Sequence, residues 1–366
     1  MTYQSMPFQR CGNSGVLLPR LSLGFWHNFG AQDDFERSRA ITHYAFDHGV
    51  VHFDLANNYG PPYGTAEETI GRLMDEDFRP HRDELFIATK AGYDMWPGPY
   101  GNWGSRKYLM ASLDQSLRRM HLDYVDLFYS HRYDPETPLE ETLQALVDVV
   151  RQGKALYVGI SRWPLDATRT AIDYLRQRDV PLLIYQGRLN LLDREPQEQG
   201  ILDLCHREGV GFISFSPLAQ GLLTDRYLSV HTDAEGHITD IPADSRMTRQ
   251  KFLRPDMLTP QLFQQLTQWN SEAQAQGQSL AEFALRFRGF LPLLQGMGVS
   301  PAQGFLQGSE VVGPRHRANA KTAVFLLRRF PVDEDHHGRH AVLTLGVGNI
   351  VSLDAPGIFL HAQDLS

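Results

Sequence analysis

The chain has only two cysteines in 366 residues, Cys11 and Cys205. That is too few for a disulfide framework, and neither has partners at zinc-ligand spacing, so both read as reduced thiols of a cytoplasmic protein. It also lacks positive charge: 35 Lys and Arg stand against 43 Asp and Glu, a formal net charge of -8. With no basic run to offset that balance, a nucleic-acid partner is not expected, because neutralising phosphates needs a basic surface. Long apolar runs are missing as well. Nothing approaches the ~18 residues of a membrane span, and the opening MTYQSMPFQRCGNSG has no charged stretch followed by an apolar one, so neither a membrane nor a secretion signal is expected. Neither G-x-G-x-x-G nor G-x-x-x-x-G-K-[ST] occurs, which leaves a Rossmann or P-loop reading without support.

What is present is an alternation. Hydrophobic residues make up 42% of the chain and charged residues 21%, enough apolar material for a large core. LSLGFW, VVHFDLA, LFIATK, YVDLFYSH, LYVGIS, LLIYQ and GFISFSP are short, apolar and not strictly alternating, the pattern of strands buried on both faces. Between them lie DDFERSRAITHYAFDHG, TAEETIGRLMDE, SRKYLMASLDQSLRRMH, PLEETLQALVDVVRQGK, PLDATRTAIDYLRQRD and QGILDLCHREG, which carry helical spacing, acidic first turns and, in several cases, a glycine stop. Strand after strand followed by a helix predicts a parallel α/β fold, and the (β/α)8 barrel is its natural closure.

In such barrels, catalytic side chains sit where strands end, on the C-terminal face. Asp54 closes VVHFDLA, Tyr59 lies in the loop after it, Lys90 ends LFIATK and His131 ends YVDLFYSH. Together these four suit the delivery of a proton to a carbonyl oxygen as hydride reaches its carbon. Tyrosine is a weak acid, with a pKa of ~10. A nearby ammonium stabilises its phenolate, a buried aspartate keeps that ammonium charged, and histidine can donate to the same oxygen. Taken singly, each has a plainer reading: Asp54 with Lys90 as a structural ion pair, Tyr59 as a loop aromatic, His131 as a hydrogen-bonded core residue. Their conjunction at three strand ends favours the reductase.

FDLANNYG, IATKAGY, YVDLFYSHR, GKALYVGIS and FSPLAQGLL resemble the aldo-keto reductases in order and spacing. LSLGFWHNFG, NNYGPPYGTAEE, YDMWPGPYG, GSRKYL and DSRM are similar to the bacterial branch that reduces L-glyceraldehyde 3-phosphate, close to the potassium-channel β subunits. The resemblance implies Tyr59 as proton donor, Asp54 and Lys90 as its tuning pair, and His131 as partner of the substrate oxygen. It implies NADPH, bound extended across the barrel mouth. Gly24, Trp26 and Asp54 would lie about the nicotinamide and Ser161 and Gln186 at its carboxamide, with Ser216, Pro217, Leu218, Gln220, Gly221 and Leu222 around the pyrophosphate. A glycine-containing loop after a strand can turn backbone N–H groups toward phosphate oxygens, although a plain turn would look the same.

After Lys90 comes YDMWPGPYGNWGSRKYL. Trp96, Tyr100 and Trp103 offer flat apolar walls, and Arg106 and Lys107 open the next helix, whose N-terminus and cations attract anions. The expected substrate is therefore a small, phosphorylated aldehyde, with Trp96, Arg106 and Lys107 at its site; a solvated helix start is the equal alternative. His27 stands between substrate rim and loop packing.

The resemblance stops after GQSLAEFALRF. From Arg288 on, the family's eighth strand, its Gly-Ala-Ser-Arg-like loop and the helix that holds the adenosine 2′-phosphate cannot be traced, so residues 1–287 read as the barrel and 288–366 as an atypical segment in place of the last strand and final helices. Within it GSEVVG, with Val311 and Val312, is the expected closing strand. His336, His337 and His340 read as solvated, and no metal site is expected. Two functions follow: an NADPH-dependent reductase of a small aldehyde, or a sensor or partner-binding protein with slow or impaired turnover. A homo-oligomer is in keeping with the branch, which often assembles into rings.

Overall fold

Each of the seven apolar runs forms a strand, and the helical stretches separate them. The computed structural model describes residues 6–229, 231–232, 238–239, 241–242, 253, 257–286 and 358–362. An antiparallel hairpin comes first, β1 (Phe8–Arg10) with β2 (Leu17–Pro19). The strand-helix series then runs β3 (Leu21–Gly24), α1 (Phe35–Asp47), β4 (His52–Asp54), α2 (Thr65–Leu73), β5 (Phe86–Ala91), α3 (Arg106–Met120) and β6 (Val125–Ser130). It continues with α4 (Leu139–Arg151), β7 (Ala155–Ser161), α5 (Leu165–Arg176), β8 (Leu182–Arg188), α6 (Glu195–Glu198), α7 (Ile201–Glu208) and β9 (Gly211–Phe215). Caps act where the sequence offers them: the Asp34 carboxylate accepts from Arg37 N–H ahead of α1, and the Ser105 hydroxyl from Tyr108 N–H ahead of α3.

All neighbouring barrel strands are parallel, and the eighth place is taken by β12 (Ile358–Ala362), which pairs Ile358 with Phe212 of β9 and Leu360 with Leu21 of β3. Val311 and Val312, expected there, lie outside the described residues. The closing segment must instead satisfy two ladders at once, and IFLHA, rich in β-forming residues, does so.

Strand alternation divides the side chains. In β5, Ala88 and Lys90 fall on the same face, and in β6 so do Leu127 and Tyr129. Cys11, Val16 and Leu18 of the hairpin pack with Ala88, Leu127, Tyr129, Leu183, Ile184 and Ile213, a buried and nearly all-apolar floor. The hairpin thus closes the N-terminal end of the barrel, a role the sequence pattern did not announce.

The described residues fall into two compact units. The first holds the barrel strands with α1 to α7. Among the described residues, the second includes 189–194 and those from 216 to 286. In it a short pair, β10 (His231–Thr232) with β11 (Ile238–Thr239), precedes α8 (Pro260–Ala275), and Leu191, Leu218, Leu223, Leu266, Leu280 and Ala284 form its core.

Among the described residues no helix is long and apolar enough to cross a membrane.

The packing of α2 on α3 depends on Gly71. A Cβ there would lie 2.1 Å from the Arg119 carbonyl oxygen, so Gly71→Ala forces the helices apart and is expected to cost roughly 1–3 kcal/mol. A lowered denaturant midpoint at unchanged m-value is the expected result; an unaltered midpoint would show that the helices separate without loss.

Candidate active site

The register brings the strand ends together. Gly24 pairs with Asp54, Asp54 with Ala88, Lys90 with Tyr129 and Ser161 with Gln186. Because inward positions recur every second residue, Asp54, Lys90, Ser161 and Gln186 reach the barrel interior at its C-terminal end. All four are buried, with Asp54 and Lys90 at 0% exposure.

Lys90 Nζ lies 2.5 Å from Asp54 Oδ2, 2.7 Å from the Leu55 carbonyl oxygen and 3.5 Å from the Tyr59 hydroxyl. An ammonium has three donors, and here each faces an oxygen, the last at the outer limit of a hydrogen bond. Gln186 Nε2 adds donors to both Asp54 oxygens at 3.3 Å. Burial pulls the Lys90 ammonium below its ordinary 10.5, and the Asp54 charge opposes that pull. By accepting from Lys90, the phenol oxygen leaves its own hydrogen as a donor.

Tyr59 is presented by a tight turn: its N–H donates to Ala56, and its carbonyl accepts from Gly64 and Ala66. Gly60, at φ 75°, makes that turn possible, since a Cβ there would sit 2.7 Å from the Ala66 nitrogen. The adjoining asparagine also has a task. Asn57, fully buried, donates from Nδ2 to the Tyr108 hydroxyl at 3.0 Å, which ties the Tyr59 loop to α3.

His131 follows β6, with its ring 5.9 Å from that of Tyr59 and 4.8 Å from that of Tyr93, edge-on in both cases. Burial, and next the Lys90 charge, hold it well below its ordinary 6.5, so the imidazole is neutral. Its Nδ1 is buried with no hydrogen-bond partner among the described residues. The rings of Trp26 and His27 meet at 4.0 Å, tilted by 42°, just beyond β3.

The segment after Lys90 is pinned at several points. Tyr108 OH donates to the Tyr93 carbonyl, Trp96 lies 5.2 Å from the Tyr108 ring, and Gly104 N–H donates to Asp134 Oδ2 at 3.0 Å. Arg106 and Lys107 make no hydrogen bond, ion pair or ring contact with Asp54, Tyr59, Lys90 or His131 among the described residues. The Arg106 guanidinium pairs with Asp148, well along α4, and its backbone N–H donates to Glu141 Oε1 at 2.9 Å, placing a carboxylate at the helix start where an anion was expected. Lys107, exposed, lies over the Tyr100 ring at 5.1 Å.

The polar groups suit a nicotinamide. Ser161 and Gln186, 1% and 2% exposed, are neutral side chains at adjacent strand ends that could hold a carboxamide. In the second unit, Ser216, Ala219, Gln220 and Gly221 all have positive φ, from 50° to 91°. That backbone forms the kind of concavity that receives anions, and it is held by Gln220 Nε2 on Ser216 Oγ at 2.9 Å and Asn190 Nδ2 on the Ser216 carbonyl at 2.9 Å. No group of His, Cys, Asp and Glu among the described residues could hold a metal; His336, His337 and His340 lie outside them.

The profile of the aldo/keto reductase family matches residues 20–292. The chain belongs to that family. It is 55% identical over 287 residues, 77% of this chain and 80% of the relative, to "L-glyceraldehyde 3-phosphate reductase" of Escherichia coli (strain K12). A "Probable voltage-gated potassium channel subunit beta" of Oryza sativa subsp. japonica is 36% identical over 250 residues, covering 68% of this chain and 72% of that one. The crystal structure of a thermostable aldo-keto reductase in complex with the inhibitor epalrestat superposes with a TM-score of 0.51 at 33% identity, over 59% of this chain and 74% of the other. As a family member the chain is an oxidoreductase.

Sequence reasoning missed three supports of this cluster. Glu67, fully buried on α2, accepts from Thr89 Oγ1 at 2.5 Å and pairs with Arg119, which braces β5 from its outer side next to Lys90. The Tyr129 ring lies 5.5 Å from the Lys90 ammonium. Arg132 grips the segment after Lys90. Tyr129 and Arg132 had a visible signal, as neighbours of His131 in YSHR.

The neutral imidazole has a thermodynamic signature. Folded, His131 stays unprotonated; unfolded, it titrates near 6.5. Below that pH the unfolded state binds the additional proton, so stability falls with pH, by at most about 1.4 kcal/mol per unit from this group. His131→Asn lacks the group, and its stability should fall less steeply between pH 7 and 5 in urea titrations. Parallel curves would show that the histidine protonates as readily folded as unfolded.

Proposed function

We propose that the chain reduces the carbonyl of a small phosphorylated aldehyde, L-glyceraldehyde 3-phosphate or a close analogue, to the alcohol with NADPH. The observation that carries this reading is the buried Lys90 ammonium shared between Asp54 and the Tyr59 hydroxyl. The 55% identity to a reductase of that aldehyde supports the substrate.

NADPH, when bound, supplies hydride; handling the proton falls to the side chains. As charge grows on the carbonyl oxygen, Tyr59 gives its hydroxyl proton to it. The phenolate left behind is stabilised by Lys90, close enough to act without rearrangement. Asp54 keeps Lys90 charged and aimed, because a buried ammonium without a carboxylate would lose its proton. His131, neutral, donates a hydrogen bond to the same oxygen and orients the carbonyl. Ser161 and Gln186 hold the nicotinamide carboxamide, with Gly24 and Trp26 bordering the ring, and Trp96 and His27 line the aldehyde's side.

The alternative, a sensor with slow turnover, has only the more distant channel-subunit relatives behind it. We assign the barrel to residues 1–287, with 288–366 as the segment that completes it, and place the chain in the cytoplasm as a homo-oligomer. The two buried cysteines, both free thiols, are in keeping with a reducing compartment.

Tyr59→Phe tests the reading. Loss of the acid should lower turnover ~10²- to 10⁴-fold, measured as NADPH oxidation with L-glyceraldehyde 3-phosphate, while NADPH binding followed by fluorescence is largely kept. Turnover near that of the wild type would exclude Tyr59 as the proton donor.

A further inference from the structure

Arg132 directly follows His131. Its Nε donates to the Gly92 carbonyl at 2.6 Å and its Nη2 to Asn102 Oδ1 at 2.5 Å, and its guanidinium lies 3.5 Å from the Trp103 ring centre and 4.3 Å from that of Tyr93. Both acceptors are neutral. Arg39, Arg72, Arg79, Arg82, Arg106, Arg119, Arg176 and Arg207 each pair with a carboxylate; Arg132, half-buried, has none within ion-pair distance among the described residues.

A guanidinium held only by neutral oxygens and ring faces keeps its charge uncancelled, and an anion is attracted to it. The fork is also half unused. Of its five N–H donors, two bond to protein, and Nη1 carries no hydrogen bond among the described residues. Two rings and two oxygens fix the plane in advance, which lowers the cost of binding an oxyanion that offers two oxygens side by side. The position suits the task, because the Tyr93 ring that carries Arg132 at 4.3 Å also meets the His131 ring at 4.8 Å. A short chain with its carbonyl oxygen at His131 would bring its far end toward Arg132.

We propose that Arg132 is the specificity-determining residue that receives the phosphate monoester of the substrate, a role Arg106 cannot fill while Asp148 holds its guanidinium. This rests on the reading of the substrate as a phosphorylated aldehyde. A residue that only stapled residues 92–104 would support every aldehyde alike; a phosphate receptor favours one kind.

The test compares L-glyceraldehyde 3-phosphate with L-glyceraldehyde, which differ only in the phosphate, on wild type, Arg132→Lys and Arg132→Gln. In Arg132→Gln, kcat/KM for the phosphorylated substrate should fall roughly 10- to 100-fold more than for the plain one, mainly through KM. Arg132→Lys should lie between, keeping the charge but losing the fork. In wild type, inorganic phosphate should compete with L-glyceraldehyde and not with NADPH, and this competition should weaken in Arg132→Gln. Equal losses on both substrates with phosphate inhibition retained would overturn the proposal and leave Arg132 as a staple. If wild type shows no preference for the phosphorylated aldehyde, the substrate reading itself fails; if the preference exists and survives in Arg132→Gln, only the role of Arg132 fails. Should Arg132→Gln not fold, Arg132→Lys and the wild-type competition pattern decide.

Discussion

A fully buried ammonium is the constraint around which the barrel mouth is arranged. Lys90 gives up hydration at a position with no exposure, and the loss is tolerable only because each N–H meets an oxygen and one of those oxygens belongs to Asp54. The demands pass outward. Asp54 needs Gln186 to share its charge, β5 needs Glu67 and Arg119 behind it, and the Tyr59 loop needs Asn57 and Gly60 to hold the phenol where Lys90 can reach it. Removing either partner of the Lys90–Asp54 pair would leave an uncompensated charge, so the same contact serves stability and chemistry.

His131 extends the logic with the opposite sign. The ammonium that stabilises a phenolate disfavours an imidazolium, and burial does the same. The site therefore contains one fixed cation and one neutral donor side by side. In the proposed reaction, a carbonyl oxygen gaining negative charge is drawn to the first through Tyr59 and oriented by the second.

Much of this was legible in the chain. Buried parallel strands leave short apolar runs, helices leave 3.6-residue spacing, and the rule that chemistry lies at strand C-termini picks out Asp54, Lys90 and His131. What was hidden depends on direction or distance rather than composition. The hairpin strands of three residues each carry too little periodicity to announce themselves. The closing strand is chosen by two ladders far away in sequence, so local pattern pointed to Val311 and Val312 and passed over Ile358–Ala362. Arg106 and Arg132 are the same residue type flanking the same loop; one turns to Asp148 and the other to carbonyl oxygens and rings, and no local pattern separates them.

The hairpin floor bears on proton traffic in the proposed reaction. Cys11, Val16 and Leu18 seal the lower barrel against Leu127, Ile184 and Ile213, an apolar layer in which a chain of water would have few partners. In the proposed reaction, the hydrogen that Tyr59 surrenders would then be replaced through the same opening by which aldehyde enters and alcohol leaves. On that reading reprotonation and product departure would share one doorway, and a segment on the far side of the barrel that touches neither reactant would couple the two.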